Sequence, residues 1–224
     1  MLNTRSRFVS IAGLMILAAG AASADQASTF DAVITADNHY AVYTRTGAVF
    51  AYHGGNELGS GGNPGTYNWS LPESYSVSGD IMYLAAWSDD SVAQGLLAQV
   101  MLNGSDSLHS GDARWEVYAT HQNRGDGDPH PSAGDIQSLV GVADANNLWE
   151  TPYVGGINGI APWGEVPGIT TAAKWMWWNT PGDANPLDGG SGAGEMLIFR
   201  TNIPGPGAMA LAALSGMIGL RRKR

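Results

Sequence analysis

The chain has 224 residues, with 11 Lys and Arg against 20 Asp and Glu, no Cys, 31 Gly and 8 Trp. That length holds one ordinary domain with short extensions, and the lack of Cys excludes a disulfide framework, a thiol nucleophile and a thiolate metal site. A formal charge of −9 argues against nucleic acid as a partner, and a charged content of only 14% favours a loop-rich β protein over a helical bundle.

Residues 1–24 read as a secretory signal. Arg5 and Arg7 supply a positive start, and Phe8 to Ala19 is largely apolar and uncharged. Ala22-Ser23-Ala24 fits the small-x-small rule, so signal peptidase is expected to cut before Asp25.

Residues 25–202 carry no internal repeat and no dividing linker, and read as one β-rich domain. After a turn-like Asp37-Asn38, Tyr40 to Thr44 reads as a strand, with Ala48 to His53 as its hairpin partner across Thr46-Gly47. Gly54 to Gly65 is a glycine-rich loop. Asp80 to Trp87 is nearly continuous in apolar residues, as for a strand covered on both faces. Gly95 to Leu102, Arg114 to Ala119, Ala172 to Trp178 and Glu195 to Thr201 complete the strands. One helix is expected over Asp135 to Asn146, where Ile136, Leu139, Val140 and Ala143 share a face.

Short strands with Gly-rich loops suggest a sandwich or jelly roll. The run Ala36 to Tyr43 with its Thr46-Gly47 turn resembles the first core hairpin of galactose-binding-domain-like jelly rolls. Ala86-Trp87-Ser88-Asp89 with Gly95 to Ala98 resembles their central strand pair, Trp115-Glu116-Val117 a following core strand, and Gly194 to Arg200 a closing strand. The resemblance implies an all-β jelly-roll β-sandwich with one short helix, a fold that hosts carbohydrate-binding, adhesive and structural modules.

Residues 203–224 form a three-part tail. Ile203-Pro204-Gly205-Pro206-Gly207 is a rigid breaker, Ala208 to Leu220 is apolar or small, and Arg221, Arg222, Lys223 and Arg224 close the chain. As a helix the apolar part reaches about 20 Å, short of the roughly 30 Å of bilayer hydrocarbon, which suits a temporary anchor. The basic end is expected to stay cytoplasmic. This tail resembles the PEP-CTERM bacterial sorting signals, which commonly carry Glu where this chain has Gly205. The resemblance implies a short transmembrane helix in the inner membrane, cleavage by an exosortase-type membrane peptidase near Pro204-Gly205-Pro206, and delivery to the cell surface or outside. Such proteins are associated with bacteria that make exopolysaccharide. With both signals removed, five basic residues would face twenty acidic ones, a formal charge of −15.

Two sets of residues are candidates for ligand chemistry. Asp126 and Asp128 lie in a Gly-rich turn, and Asp183, Asp188 and Glu195 surround Gly189-Gly190. Carboxylates on such turns suit a structural Ca²⁺, although the spacing is not an EF-hand, and solvated turn aspartates read the same way. Trp149, Tyr153 and Trp163 fall in the irregular stretch from Leu148 to Thr171, either as a sugar-stacking platform or as packing. Trp175 and Trp177 are expected in the core. No zinc-binding His spacing and no nucleophile elbow is present, so no catalytic residue is assigned. The expectation is an exported, non-enzymatic, surface-sorted β-sandwich that binds extracellular polysaccharide. The alternatives are a secreted glycan hydrolase with paired carboxylates and a purely structural or adhesive module.

Overall fold

The structure is a computed structural model that describes residues 27–56, 68–89, 92–125, 127–189 and 194–201. The signal-like segment 1–24, the tail 203–224 and Asp126 lie outside the described residues.

Among the described residues eleven strands and one helix follow in chain order: β1 (Ser28–Asp37), β2 (His39–Thr46), β3 (Val49–Gly55), β4 (Glu73–Gly79), β5 (Ile81–Trp87), β6 (Gly95–Leu102), β7 (Asp106–His109), β8 (Trp115–Asn123), α1 (Ala133–Asn146), β9 (Tyr153–Ile157), β10 (Lys174–Trp177) and β11 (Glu195–Thr201). One antiparallel sheet runs β4-β1-β6-β10-β9, with β7 on β6; the other runs β3-β2-β5-β11-β8. The two pack as a β-sandwich.

Period-2 patterning sets the inter-sheet core. Phe30, Ala32, Ile34 and Ala36 of β1 are buried against Tyr40 and Val42 of β2, Met82 and Leu84 of β5, and Leu197 and Phe199 of β11. Asp31 lies between these on the other face, where it accepts a 2.7 Å bond from Ser76 Oγ of the paired β4.

The second sheet is buried on its far face as well. There Ala41, Tyr43, Tyr83, Ala85, Trp87 and Ile198 meet Ile136, Val140 and Ala143 of α1. This explains the unbroken apolar run of β5, which has a sheet on one side and a helix on the other. The helix begins two residues before its expected start. A capping box holds it, with Asp135 N donating to Ser132 Oγ at 3.1 Å and Ser132 N donating to Asp135 Oδ2 at 3.0 Å. Asn147 closes it in the left-handed conformation.

The structure adds four strands to the expected set: β1, β4, β7 and β9. Asp37-Asn38, read as a turn, is the point where the chain leaves β1 in one sheet for β2 in the other. The strand expected over Ala172 to Trp178 is shorter. Trp175, Met176 and Trp177 are all buried, so both faces of β10 are covered.

Candidate functional site

The sheet change at Asp37 lies beside two cavities. Asp89, Val92 and Ala93 between β5 and β6, Ile160 to Trp163 after β9, and Asn185, Leu187 and Asp188 after β10 contribute to their lining. Both cavities are lined by described residues. The smaller, about 270 Å³, is lined by Asp37, Asn38, Trp69, Asp89, Val92, Ala93, Pro162 and Trp163. The larger, about 550 Å³, is walled by Tyr153, Val154, Gly155, Gly156, Ile160 and Leu187, with Asn185 and Asp188 as its polar groups. Val92, Ala93, Pro162 and Trp163 belong to both, so the cavities form two halves of one groove. Ligand pockets commonly measure about 300–1,000 Å³ and combine apolar walls with a few placed polar groups, which is the character of this groove.

Packing fixes the dividing wall. Trp163 is only 4% exposed and stacks on Trp175 with centroids 4.1 Å apart and planes 20° from parallel. Trp175 in turn lies against Gly95 at the start of β6, where a Cβ would come within 2.8 Å of the indole. The Trp163 Nε1–H donates to Asp37 Oδ2 at 2.7 Å. Asp37 is 9% exposed, and its carboxyl is pushed up to about 6. Burial is the main cause; the Trp163 bond acts against it, the charge of Asp89 adds to it and that of His39 opposes it. Asn38 orders the neighbouring wall: its Oδ1 accepts from Ser88 Oγ at 2.8 Å and from Asp89 N at 2.7 Å. Trp69 is held by its carbonyl, which accepts from Thr35 Oγ1 at 2.7 Å.

The expected aromatic set divides. Tyr153 and Trp163 line the groove, and Tyr153 donates to Asn185 Oδ1 at 3.3 Å. Trp149 belongs to the helix-covered face instead. It packs near Tyr83 and Tyr118, with the Arg200 guanidinium 3.9 Å above its ring and its Nε1 donating to Asp144 Oδ1 at 2.7 Å. Arg200 also donates to Glu116 Oε2 and Asp144 Oδ1, each at 2.7 Å. The indole face of Trp149 is thus occupied by a cation of the same chain.

The acidic candidates are also separated. Asp128 Oδ2 accepts from Gly125 N at 2.8 Å, closing its own turn, and Asp126 lies outside the described residues. Asp183 Oδ1 accepts from Asn185 N at 2.9 Å, and Asp188 Oδ2 accepts from Asn185 Nδ2 at 3.2 Å while lining the groove. Glu195 is buried and tied to His121, accepting from its backbone N–H and lying 3.0 Å from its Nδ1. Among the described residues no three His, Asp or Glu side chains converge as metal ligands.

Sequence reasoning missed Asp37, Asn38 and Trp69. The available signal was a carboxylate at the end of the alternating run Phe30, Ala32, Ile34, Ala36, next to Asn38 where a turn is expected. Comparison of the chain with protein-family models, with curated proteins and with solved structures finds no match.

Proposed function

We propose that this chain is an exported, surface-sorted, non-enzymatic β-sandwich protein of the bacterial envelope or extracellular matrix, and that the groove around Trp163 binds extracellular polysaccharide. The observation that carries the reading is the lining itself: half-buried Trp69 and Tyr153 beside Asp37, Asn38, Asp89 and Asn185. Saccharides combine apolar ring faces with a rim of hydroxyls, and aromatic rings with carboxyl and amide acceptors match both. A galactose-binding-domain-like jelly roll is the finer fold reading. It is supported by the strand resemblances and by a groove beside the sheet change of a two-sheet sandwich. The Pro204-Gly205-Pro206 tail supports a sorting route through signal peptidase, the inner membrane and an exosortase-type peptidase.

A hydrolytic role would draw on the same two carboxyl groups, since Asp37 is raised towards the range of a general acid and Asp89 shares its cavity. The Asp37 oxygen that meets Trp163 is committed to that bond, which favours holding a ligand over proton transfer. The test is a glycan-binding screen of the protein with product analysis of each bound glycan. Binding without cleavage is expected. Shortened products would identify the hydrolase instead, and a screen with no bound glycan would remove the saccharide reading.

A further inference from the structure

Building on the groove as a saccharide site, we infer that its ligand contains an N-acetylated amino sugar whose acetamido group occupies the larger cavity, its methyl against Val154, Ile160 and Leu187 and its N–H towards Tyr153, Asn185 and Asp188. Exposed apolar side chains concentrate in that cavity. Val92, Val154 and Ile160 are 78%, 38% and 41% exposed, and all three line it. Water-facing apolar groups gathered in a concave wall mark a place where an apolar group docks. The backbone of β9 shapes this wall. Gly155 and Gly156 lack a Cβ, and one built at either position would overlap Leu187 or Ile160. The two glycines thus let these side chains lie close against the strand.

The polar groups of the cavity select what accompanies the methyl. The Tyr153 hydroxyl donates to Asn185 Oδ1 at 3.3 Å, and Asn185 Nδ2 donates to Asp188 Oδ2 at 3.2 Å. These bonds use the hydroxyl proton and one amide proton, so what this row offers a ligand is mainly acceptor oxygen. An acetamido group brings one N–H donor and one methyl, which matches an acceptor row and an apolar wall in a single cavity. A hydroxyl in its place leaves the wall without an apolar partner, and a free amine sets a hydrated ammonium against it. An acidic sugar fits less well for a separate reason: the described residues lining the two cavities include no Lys, Arg or His to pair with its carboxylate.

Titration calorimetry with glucosamine, N-acetylglucosamine and glucose oligomers of equal length tests this. One buried methyl and one amide hydrogen bond should make the N-acetyl oligomers bind at least about tenfold more tightly than the other two. Raised salt should leave the advantage over glucose in place, because the distinguishing group is uncharged. Val154→Thr and Ile160→Thr exchange apolar surface for a hydroxyl and keep a β-branched side chain at a part-exposed position, so both variants retain the fold. Each should cut the N-acetyl advantage by about threefold or more without changing the binding of glucose oligomers. Glucose or glucosamine oligomers that match the N-acetyl ones in affinity would overturn the inference. So would an advantage that survives in both variants, since the acetamido group would then lie elsewhere. Either result leaves the saccharide reading standing. Failure of all three oligomers to bind would overturn the inference too, and an empty glycan screen beside it would remove the saccharide reading as well.

Discussion

Asp37 is held in a setting that opposes its own charge. Its folded value of about 6 stands above the 3.8 of an unperturbed aspartate. Between those two pH values the folded chain keeps a proton that the unfolded chain has released. The stabilisation is thus complete at acidic pH and is lost as pH rises through about 4 to 6. Asn cannot ionise, and its Oδ1 can still accept from Trp163 Nε1. Asp37→Asn should therefore match the parent near pH 4 and exceed it at pH 7 by an amount on the order of 1–3 kcal/mol, read from denaturant melts at both values. His130 acts in the opposite sense: burial chiefly, with the charges of His39 and Arg124, lowers its ring to about 4, so its contribution fades as pH falls. The difference between parent and variant cancels that background. A carboxylate kept at the expense of stability, in the wall of a cavity, is what a binding group looks like. Trp163→Phe should cost about 1–3 kcal/mol, because it keeps most of the stacking on Trp175 but leaves the buried Asp37 without its donor.

At the scale of elements, the site depends on a chain of contacts that begins in β6. Gly95 admits the Trp175 ring, and Trp175 supports Trp163. A Cβ at position 95 meets a rigid ring rather than a flexible chain end, so Gly95→Ala should destabilise by about 1–3 kcal/mol and weaken groove binding with it. The helix is a separate unit: Ser132→Ala removes half of the capping box, should cost about 1 kcal/mol, and should leave binding unchanged. Seven strands and the helix were legible in the sequence because each carries a run of apolar residues or an amphipathic face. The other four strands were not, for different reasons. β4 alternates Tyr75 and Val77 with serines, β7 has four residues, and β9 contains Gly155 and Gly156. β1 does alternate, with Phe30, Ala32, Ile34 and Ala36 facing inward, but only half of those side chains are large. Of the site, Tyr153, Trp163 and Asp188 stood out as residue types. Their meeting with Asp37, Trp69 and Asp89 depends on pairing between distant segments, to which local periodicity is blind. Trp149 shows the same limit, since only the register of β11 brings Arg200 to its ring.

For the whole molecule, the two signal-like ends and the acidic middle are the basis of the proposed export route. On the proposed route Arg5 and Arg7 would start export, and the four terminal cations would hold the tail at the cytoplasmic side until it is cut. Intact-mass measurement of the surface or extracellular fraction should find a start at Asp25 and the loss of Arg221 to Arg224. A mature pool that keeps the basic end would refute the sorting step without touching the groove. The claim on which the functional account turns is that saccharide occupies the cavities on either side of Trp163. Hydroxyl-radical footprinting reads this most directly, with a mixture of glucosamine, N-acetylglucosamine and glucose oligomers as the probe. The account predicts reduced labelling of Trp69, Tyr153 and Val92, with no change at Val49 and Tyr52 of the edge strand β3, which line neither cavity. Protection confined to other surfaces, or none at saturating oligomer, would contradict it.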